Sequence, residues 1–277
     1  MNAAETIQLT APDGATATLA LHGAQVLSWK PAGAPEQLYL SPRSEFMPGK
    51  AIRGGVPVCF PQFAERGPLP KHGFARTLPW ELVSQERGKD DALAVLRLRD
   101  SDTTRALWPH AFELELSVRV SGRQMDVELA CENTGDAALQ FTAALHTYLR
   151  VADLDAVSVE GLSGLRYFDS VKQAEALQRM DLLLTGEKGV LDLDRIYFGV
   201  KERPLLIAED RRQVVVTQQG FDDAVVWNPG PDRCAKLADM PPDGWSEMLC
   251  VEAATIGHPV VLQTGETWVG RQSLALL

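Results

Sequence analysis

From residue 112 to residue 132 the side chains alternate in polarity with a period of two. Phe112, Leu114, Leu116, Val118 and Val120 are separated by Glu113, Glu115, Ser117 and Arg119; Met125, Val127, Leu129 and Cys131 are then interleaved with Asp126, Glu128, Ala130 and Glu132. Successive side chains of a strand point to opposite faces, so each run is a strand with one buried face and one wet face. The intervening Ser121-Gly122 reads as a hairpin turn, which makes the two strands antiparallel neighbours. A chain built on this pattern must bury a sheet face against a second layer.

Less regular strand-like runs occupy 92–98, 139–151, 213–218, 224–227 and 247–253, and a carboxy-terminal hairpin is expected across Thr264-Gly265. Turn residues recur between them, at Asp13-Gly14, Thr134-Gly135-Asp136 and Asn228-Pro229-Gly230. Helical signals are short: 103–108 fits a turn or two before Pro109, and 170–179 fits neither period. Many strands and few helices predict an all-β fold, a large antiparallel β-sandwich. With no internal repeat and no low-complexity linker, the 277 residues are expected to form one domain, a length that β-sandwiches reach as single units.

Composition narrows the function. Hydrophobic residues make up 45% and charged residues 23%, enough for a sizeable core and too little charge for a disordered tail. The first ten residues lack a basic segment followed by an apolar run, and no stretch approaches the roughly 18 apolar residues that span a bilayer, so a cytoplasmic location is expected. Cys59, Cys131, Cys234 and Cys250 are scattered without a CxxC pair, which suggests reduced thiols and no zinc site. A net charge of -10 repels nucleic acid and anionic membranes, and neither is expected as a partner. Against that acidic background, 50–76 carries Lys50, Arg53, Arg66, Lys71 and Arg76 with only Glu65 opposing them. Such a patch suits a small anion better than a polymer.

Chemically able residues interrupt the strand patterns in three places. His146 projects from the face opposite Phe141, Ala143, Leu145, Leu149 and Val151, beside Tyr148 and Arg150; alone, a strand histidine is more often structural than catalytic. Glu252 shares its face with Met248 and Cys250, among apolar neighbours where an unpartnered carboxylate costs several kcal/mol. Asp194 shares a face with Asp192, and an exposed strand edge is the plainer explanation. A fourth feature joins Arg53-Gly54-Gly55-Val56-Pro57 to Lys71-His72-Gly73-Phe74-Ala75-Arg76. Its glycines let a ligand approach the backbone closely, and its arginines match phosphate oxygens with a planar fork. A solvated basic loop has the same composition. No Walker lysine motif or strand-linked GxGxxG accompanies it, which argues against a nucleotide.

Taken together, AIRGGVPVCFPQF (51–63), HGFAR (72–76), LHTYLRV (145–151), DRIY (194–197), VVWNPG (225–230) and MLCVEAA (248–254) resemble the glucose-6-phosphate 1-epimerase family of the galactose-mutarotase-like superfamily. The matches lie in order across most of the chain. The resemblance implies His146 as general acid, Glu252 as general base and Asp194 as a partner for substrate hydroxyls. It further implies that Arg53 and Arg76 bind the sugar phosphate with His72 close by. Lys71 stands where some relatives carry a glutamine that contacts ligand, so it could serve the anion as a point charge.

The implied reaction interconverts the anomers of a hexose 6-phosphate by ring opening and reclosure. It needs one acid and one base and no cofactor or metal. His146 protonated and Glu252 ionised are the states expected for it. Two rivals stand beside this reading: a mutarotase for unphosphorylated sugars, against which the basic stretch argues, and a non-catalytic binder of sugar phosphates, which would need no complementary acid and base. A monomer is favoured.

Overall fold

The computed structural model describes residues 5–184, 192–210 and 212–277. It is built from two large sheets and one small one, and the pairs named below are antiparallel. The nine-stranded sheet runs Leu182–Leu183, Val157–Glu160, Leu205–Glu209, Arg212–Gln219, Thr267–Leu276, Gln124–Asn133, Phe112–Ser121, Ala92–Arg99 and Glu81–Arg87. The eight-stranded sheet runs Ala174–Leu177, Arg166–Asp169, Leu193–Tyr197, Asp223–Asn228, Met248–Leu262, Leu139–Leu145 and Val58–Cys59, with Tyr148–Arg150 also paired to Met248–Leu262. Thr6–Thr10, Thr16–Ala20 and Gln25–Lys30 form the third sheet, and Asp13-Gly14 lies in the turn joining its first two strands.

The alternating runs form strands as expected. Phe112–Ser121 and Gln124–Asn133 pair along their whole length, from Phe112 opposite Asn133 to Ser121 opposite Gln124. Their connecting residues are Gly122 and Arg123, one position beyond the expected turn, with Gly122 at a φ of 54° that suits glycine. Leu114, Leu116, Leu129 and Met125 enter the main core with Leu145, Leu249 and Val251 of the other large sheet. The sandwich therefore closes on the apolar half of each alternation. Of the two helical signals, the first becomes helix Asp102–Leu107, capped by the Ser101 side chain and Thr104 in a reciprocal box. The second, 170–179, contains the edge strand Ala174–Leu177.

Three expectations change. Thr264-Gly265 does not close a hairpin: Met248–Leu262 belongs to the eight-stranded sheet and Thr267–Leu276 to the nine-stranded one, so the turn carries the chain across the sandwich. The run 139–151 is divided, Leu139–Leu145 ending and Tyr148–Arg150 beginning on either side of His146 and Thr147. Finally, Asp194 is not on a sheet edge. Leu193–Tyr197 lies between Arg166–Asp169 and Asp223–Asn228.

Register places the chemistry. Phe168 faces Ile196, Ile196 faces Val225 and Val225 faces Glu252, so the four share one row across neighbouring strands. Leu145 pairs with Ala253 and Tyr148 with Cys250, the same offset on both sides of the interruption, which brings His146 opposite Glu252. One row further along stand Asp194, Trp227, Cys250 and Tyr148. Both rows lie on the face turned away from the main core.

Phe60 ties the layers together behind this face. Its buried ring lies 5.0 Å from Phe141 of the eight-stranded sheet, 5.5 Å from Phe112 of the nine-stranded sheet and 5.5 Å from Trp108. Phe60→Ala should destabilise the protein by about 3–5 kcal/mol, from lost transfer energy and the cavity left behind, read as a lower urea midpoint. A midpoint within error of the parent protein would mean that the sheets close without this ring.

Candidate active site

The seven residues singled out from the sequence, Arg53, Lys71, His72, Arg76, His146, Asp194 and Glu252, all border one cavity of about 590 Å³ on the outer face of the eight-stranded sheet. Phe168, Ile196, Val225 and Trp227 supply the apolar part of its floor and wall. The loops 51–57 and 63–76 roof it. Gln25 holds the first of these, its amide nitrogen donating to the Ile52 carbonyl at 3.2 Å and the Gly54 carbonyl at 2.5 Å.

The glycines of these loops serve chain packing, not ligand approach. A Cβ on Gly55 would lie 2.0 Å from the Val26 carbonyl oxygen, and one on Gly73 would lie 2.1 Å from that of Phe60. Both residues also sit at positive φ. Neither borders the cavity.

His146 and Glu252 form its deepest polar feature. His146 Nδ1 is 3.3 Å from Glu252 Oε1, and both residues are buried, at 7% and 1% exposure. Neither His146 Nδ1 nor Glu252 Oε2 has a hydrogen-bond partner among the described residues. The imidazole stacks on Tyr148, with centroids 4.8 Å apart and planes 11° apart, and meets the edge of Trp227 at 5.9 Å. Desolvation pushes both groups toward neutrality. Burial, with Arg76 and Arg53 adding to it, holds the His146 pKa well below its ordinary value of 6.5. Burial and the neighbouring Asp194 carboxylate raise that of Glu252 well above 4.5. Burial thus opposes both charged forms, the imidazolium and the carboxylate expected from the sequence, and favours neutral histidine and protonated glutamic acid. The two descriptions hold the same number of protons and differ by one transfer between the pair.

His72 is neutral for a separate reason. Its Nδ1 accepts from the Ala64 N–H at 3.3 Å and lies 3.1 Å from the Cys59 sulfur. A backbone N–H can only donate, so the ring proton sits on Nε2. Burial foremost, then His146, Arg76, Lys71 and Arg53, depresses its pKa.

The cations divide into two groups. Arg53 is committed: Nε and Nη2 meet Asp239 Oδ2 at 3.1 and 3.0 Å, and Nη1 donates to the Tyr148 hydroxyl at 3.1 Å. Arg233 is likewise committed, 3.1 Å from Asp192 and 3.6 Å from Asp194. Arg66, Lys71 and Arg76 have no carboxylate partner among the described residues. The Arg66 guanidinium lies over the Phe168 ring at 5.1 Å. Arg76 donates through Nη2 to the Lys71 carbonyl at 2.8 Å, and its buried Nε has no partner among the described residues. Asp194 lies on the cavity wall, its carbonyl accepting from the Ser170 N–H at 2.7 Å, with its carboxyl pKa raised chiefly by burial.

Several contributors escaped sequence reading. Arg233 comes from the short helix Gly230–Cys234 and Asp239 from the loop after it, neither long enough to show a period, and Phe168 from a strand that no alternation marked. Tyr148 shares the parity of His146, a signal that was available, whereas Arg150 is exposed and lies 3.7 Å from Glu247. His146, Cys250 and Glu252 offer three potential metal ligands within 4.8 Å of one another, but the surrounding arginines and lysine oppose a divalent cation.

A β-sandwich that buries an acid–base pair under a polar, cationic roof is equipped for proton transfer on a small polar substrate. The chain matches the aldose 1-epimerase model over residues 5–275; it belongs to that family and is an epimerase. A protein of Escherichia coli K12 provisionally named glucose-6-phosphate 1-epimerase is 41% identical over 243 residues, covering 86% of this chain and 79% of its own. One of the same provisional name from Cenchrus ciliaris is 34% identical, covering 98% and 84%. Among solved structures, a provisionally assigned mutarotase of Salmonella typhimurium superposes with a TM-score of 0.89 at 31% identity, covering 100% of this chain and 91% of that one. A galactose mutarotase related enzyme of Lactobacillus acidophilus shares the fold, with a TM-score of 0.76 at 15% identity and coverage of 97% and 96%.

Neutral buried histidines make stability pH-dependent. A histidine whose folded pKa is depressed contributes stability that is present above the unfolded value near 6.5 and lost as pH falls through the folded value, because only the unfolded chain takes up the proton. Glu252, raised, acts with the opposite sign from pH 4.5 upward. His72→Gln should therefore reduce the slope of stability against pH between 5 and 6 by about 1.4 kcal/mol per pH unit, measured by urea unfolding. An unchanged slope would place His72 in an ordinary, protonatable environment.

Proposed function

We propose that the protein interconverts the α and β anomers of hexose 6-phosphates, glucose 6-phosphate foremost, without cofactor. One observation carries the reading: a buried acid–base pair 3.3 Å apart lies in a cavity where three cations have no acidic partner among the described residues. A neutral sugar gives those cations nothing to bind, whereas a remote phosphate does. Arg76 and Lys71 take the phosphate, with Arg53 adding charge from its anchored position. His72 Nε2–H and Asp194 meet sugar hydroxyls. A phosphorylated substrate also fits a cytoplasmic location, as do the four free cysteines.

Ring opening removes the proton from the C1 hydroxyl and delivers one to the ring oxygen, while the bond between C1 and that oxygen breaks to give an aldehyde. The pair begins as imidazolium and carboxylate. Glu252 takes the hydroxyl proton and His146 gives one to the ring oxygen, leaving neutral histidine and protonated glutamic acid. That is the arrangement burial favours, so the site is matched to the open-chain aldehyde, the high-energy species on the path. Rotation about C1–C2 and the reverse transfers close the ring on the other face and restore the ion pair. Passing one proton across the 3.3 Å gap interconverts the neutral pair and the ion pair. Each positioned transfer is worth about 10²- to 10⁴-fold in rate.

Anomer exchange in equilibrated glucose 6-phosphate, glucose and galactose, followed by NMR, tests the reading. Exchange should accelerate strongly for the phosphorylated sugar and weakly for the others. Acceleration of neutral sugars alone would make this an ordinary aldose mutarotase, and binding without exchange would make it a sugar-phosphate binder.

Two variants separate binding from chemistry. Glu252→Gln should lower kcat by about 10²-fold or more with KM little changed, whereas Arg76→Ala should raise KM far more than it lowers kcat. Equal kcat losses in both would dissolve that division of labour. At saturation kcat should follow a bell-shaped pH profile, its acid limb marking a second proton on the pair and its alkaline limb the loss of the single one. A flat profile from about pH 5 to 9 would remove the acid–base assignment.

A further inference from the structure

The interruption between Leu139–Leu145 and Tyr148–Arg150 is repaired from the other side of the sandwich. The Val251 N–H still donates to the Thr147 carbonyl at 3.0 Å, as in a regular antiparallel pair. The return bond is missing, because the Thr147 N–H turns back to the Leu145 carbonyl at 2.9 Å. The carbonyl of Val251 is therefore left without its ladder donor inside the protein. Gln272, from strand Thr267–Leu276 of the nine-stranded sheet, fills the vacancy: its Nε2 donates to the Val251 carbonyl at 3.1 Å. The Gln272 Oε1 accepts from the Thr147 hydroxyl. Since a carbonyl can only accept, the amide orientation is fixed and both its ends are used.

Burial makes this bridge unusual. Gln272 is 1% exposed and Thr147 0%, and Leu274 and Leu276, the next inward-facing residues of the same strand, are apolar members of the main core. A regular strand at this place would need no amide. Thr147 follows His146 and Val251 precedes Glu252, so one carboxamide holds the backbone before Glu252 and the side chain after His146.

We propose that Gln272 is a positioning residue, its carboxamide replacing the missing backbone bond and so setting His146 against Glu252. Its catalytic consequence rests on the mutarotase reading; its structural consequence does not.

The test uses Gln272→Met, which keeps volume and loses both bonds, Thr147→Val, which removes only the hydroxyl, and Thr147→Ser, which keeps it. For the first, kcat on glucose 6-phosphate should fall by roughly 10- to 100-fold. KM should stay within about twofold, because the phosphate contacts are untouched. The pH profile of kcat should be displaced. Thr147→Val should move the same quantities less, Thr147→Ser should recover parent values, and the double variant should be no worse than Gln272→Met, since the two side chains act as a unit. Histidine ring signals in ¹⁵N-labelled protein, with His146 assigned by their loss in His146→Asn, should shift in Gln272→Met and Thr147→Val. Folded variants with a lower Tm but the parent kcat, pH profile and His146 signals would overturn the proposal. If Gln272→Met does not fold, Thr147→Val carries the same decision. Were the parent protein inactive on every sugar, the mutarotase reading would fall, and the His146 signals would still decide the role of Gln272.

Discussion

Glu252 on its strand faces His146 in the break between two strands paired to it, and the low polarity of their surroundings governs what each of them can be. An isolated carboxylate at 1% exposure is disfavoured by several kcal/mol, and so is an isolated imidazolium. Held 3.3 Å apart, they share the problem: one proton satisfies either the neutral pair or the ion pair. Much of the architecture follows from keeping that separation. The long strand Met248–Leu262 carries one partner, the interruption after Leu145 carries the other, and the stacked Tyr148 ring fixes the imidazole plane.

Charge around the pair is arranged in layers. Arg53 is tied to Asp239 and to the Tyr148 hydroxyl, so it orients the ring that stacks on His146 while adding positive potential. Arg233 is occupied by Asp192 and Asp194. What remains for a ligand anion is Arg76, whose buried Nε has no partner among the described residues, together with Lys71 and Arg66 on the loops that roof the cavity. A protein with a net charge of -10 thus presents a cationic cavity because its basic loops fold over one face of one sheet.

Strand content was readable where alternation was clean, as in Phe112–Ser121 and Gln124–Asn133. It was misread where the same local signal serves two outcomes. Thr264-Gly265 suits a hairpin and a crossing between sheets equally; the distant partners of the flanking strands decide between them. The division at His146 was invisible because pairing resumes with unchanged offset at Tyr148, leaving the alternation intact. The glycines of the basic loops signalled close approach correctly, but the approaching group is backbone of the same chain.

Among the site residues, interrupted strand patterns, the basic glycine-containing segments and the family resemblance together nominated seven that the fold brings to one cavity. Residue type by itself determined which groups could donate or accept protons and which could bind an anion, because those capacities belong to the side chains. The tertiary structure alone decided that Arg53 is engaged by an aspartate 186 residues away and that Gln272 mends a strand 125 residues away. It also decided that His146 and Glu252 are buried together, which pushes both toward their neutral forms. Those outcomes depend on burial and on contacts between segments remote in the chain, which no local pattern of residues encodes.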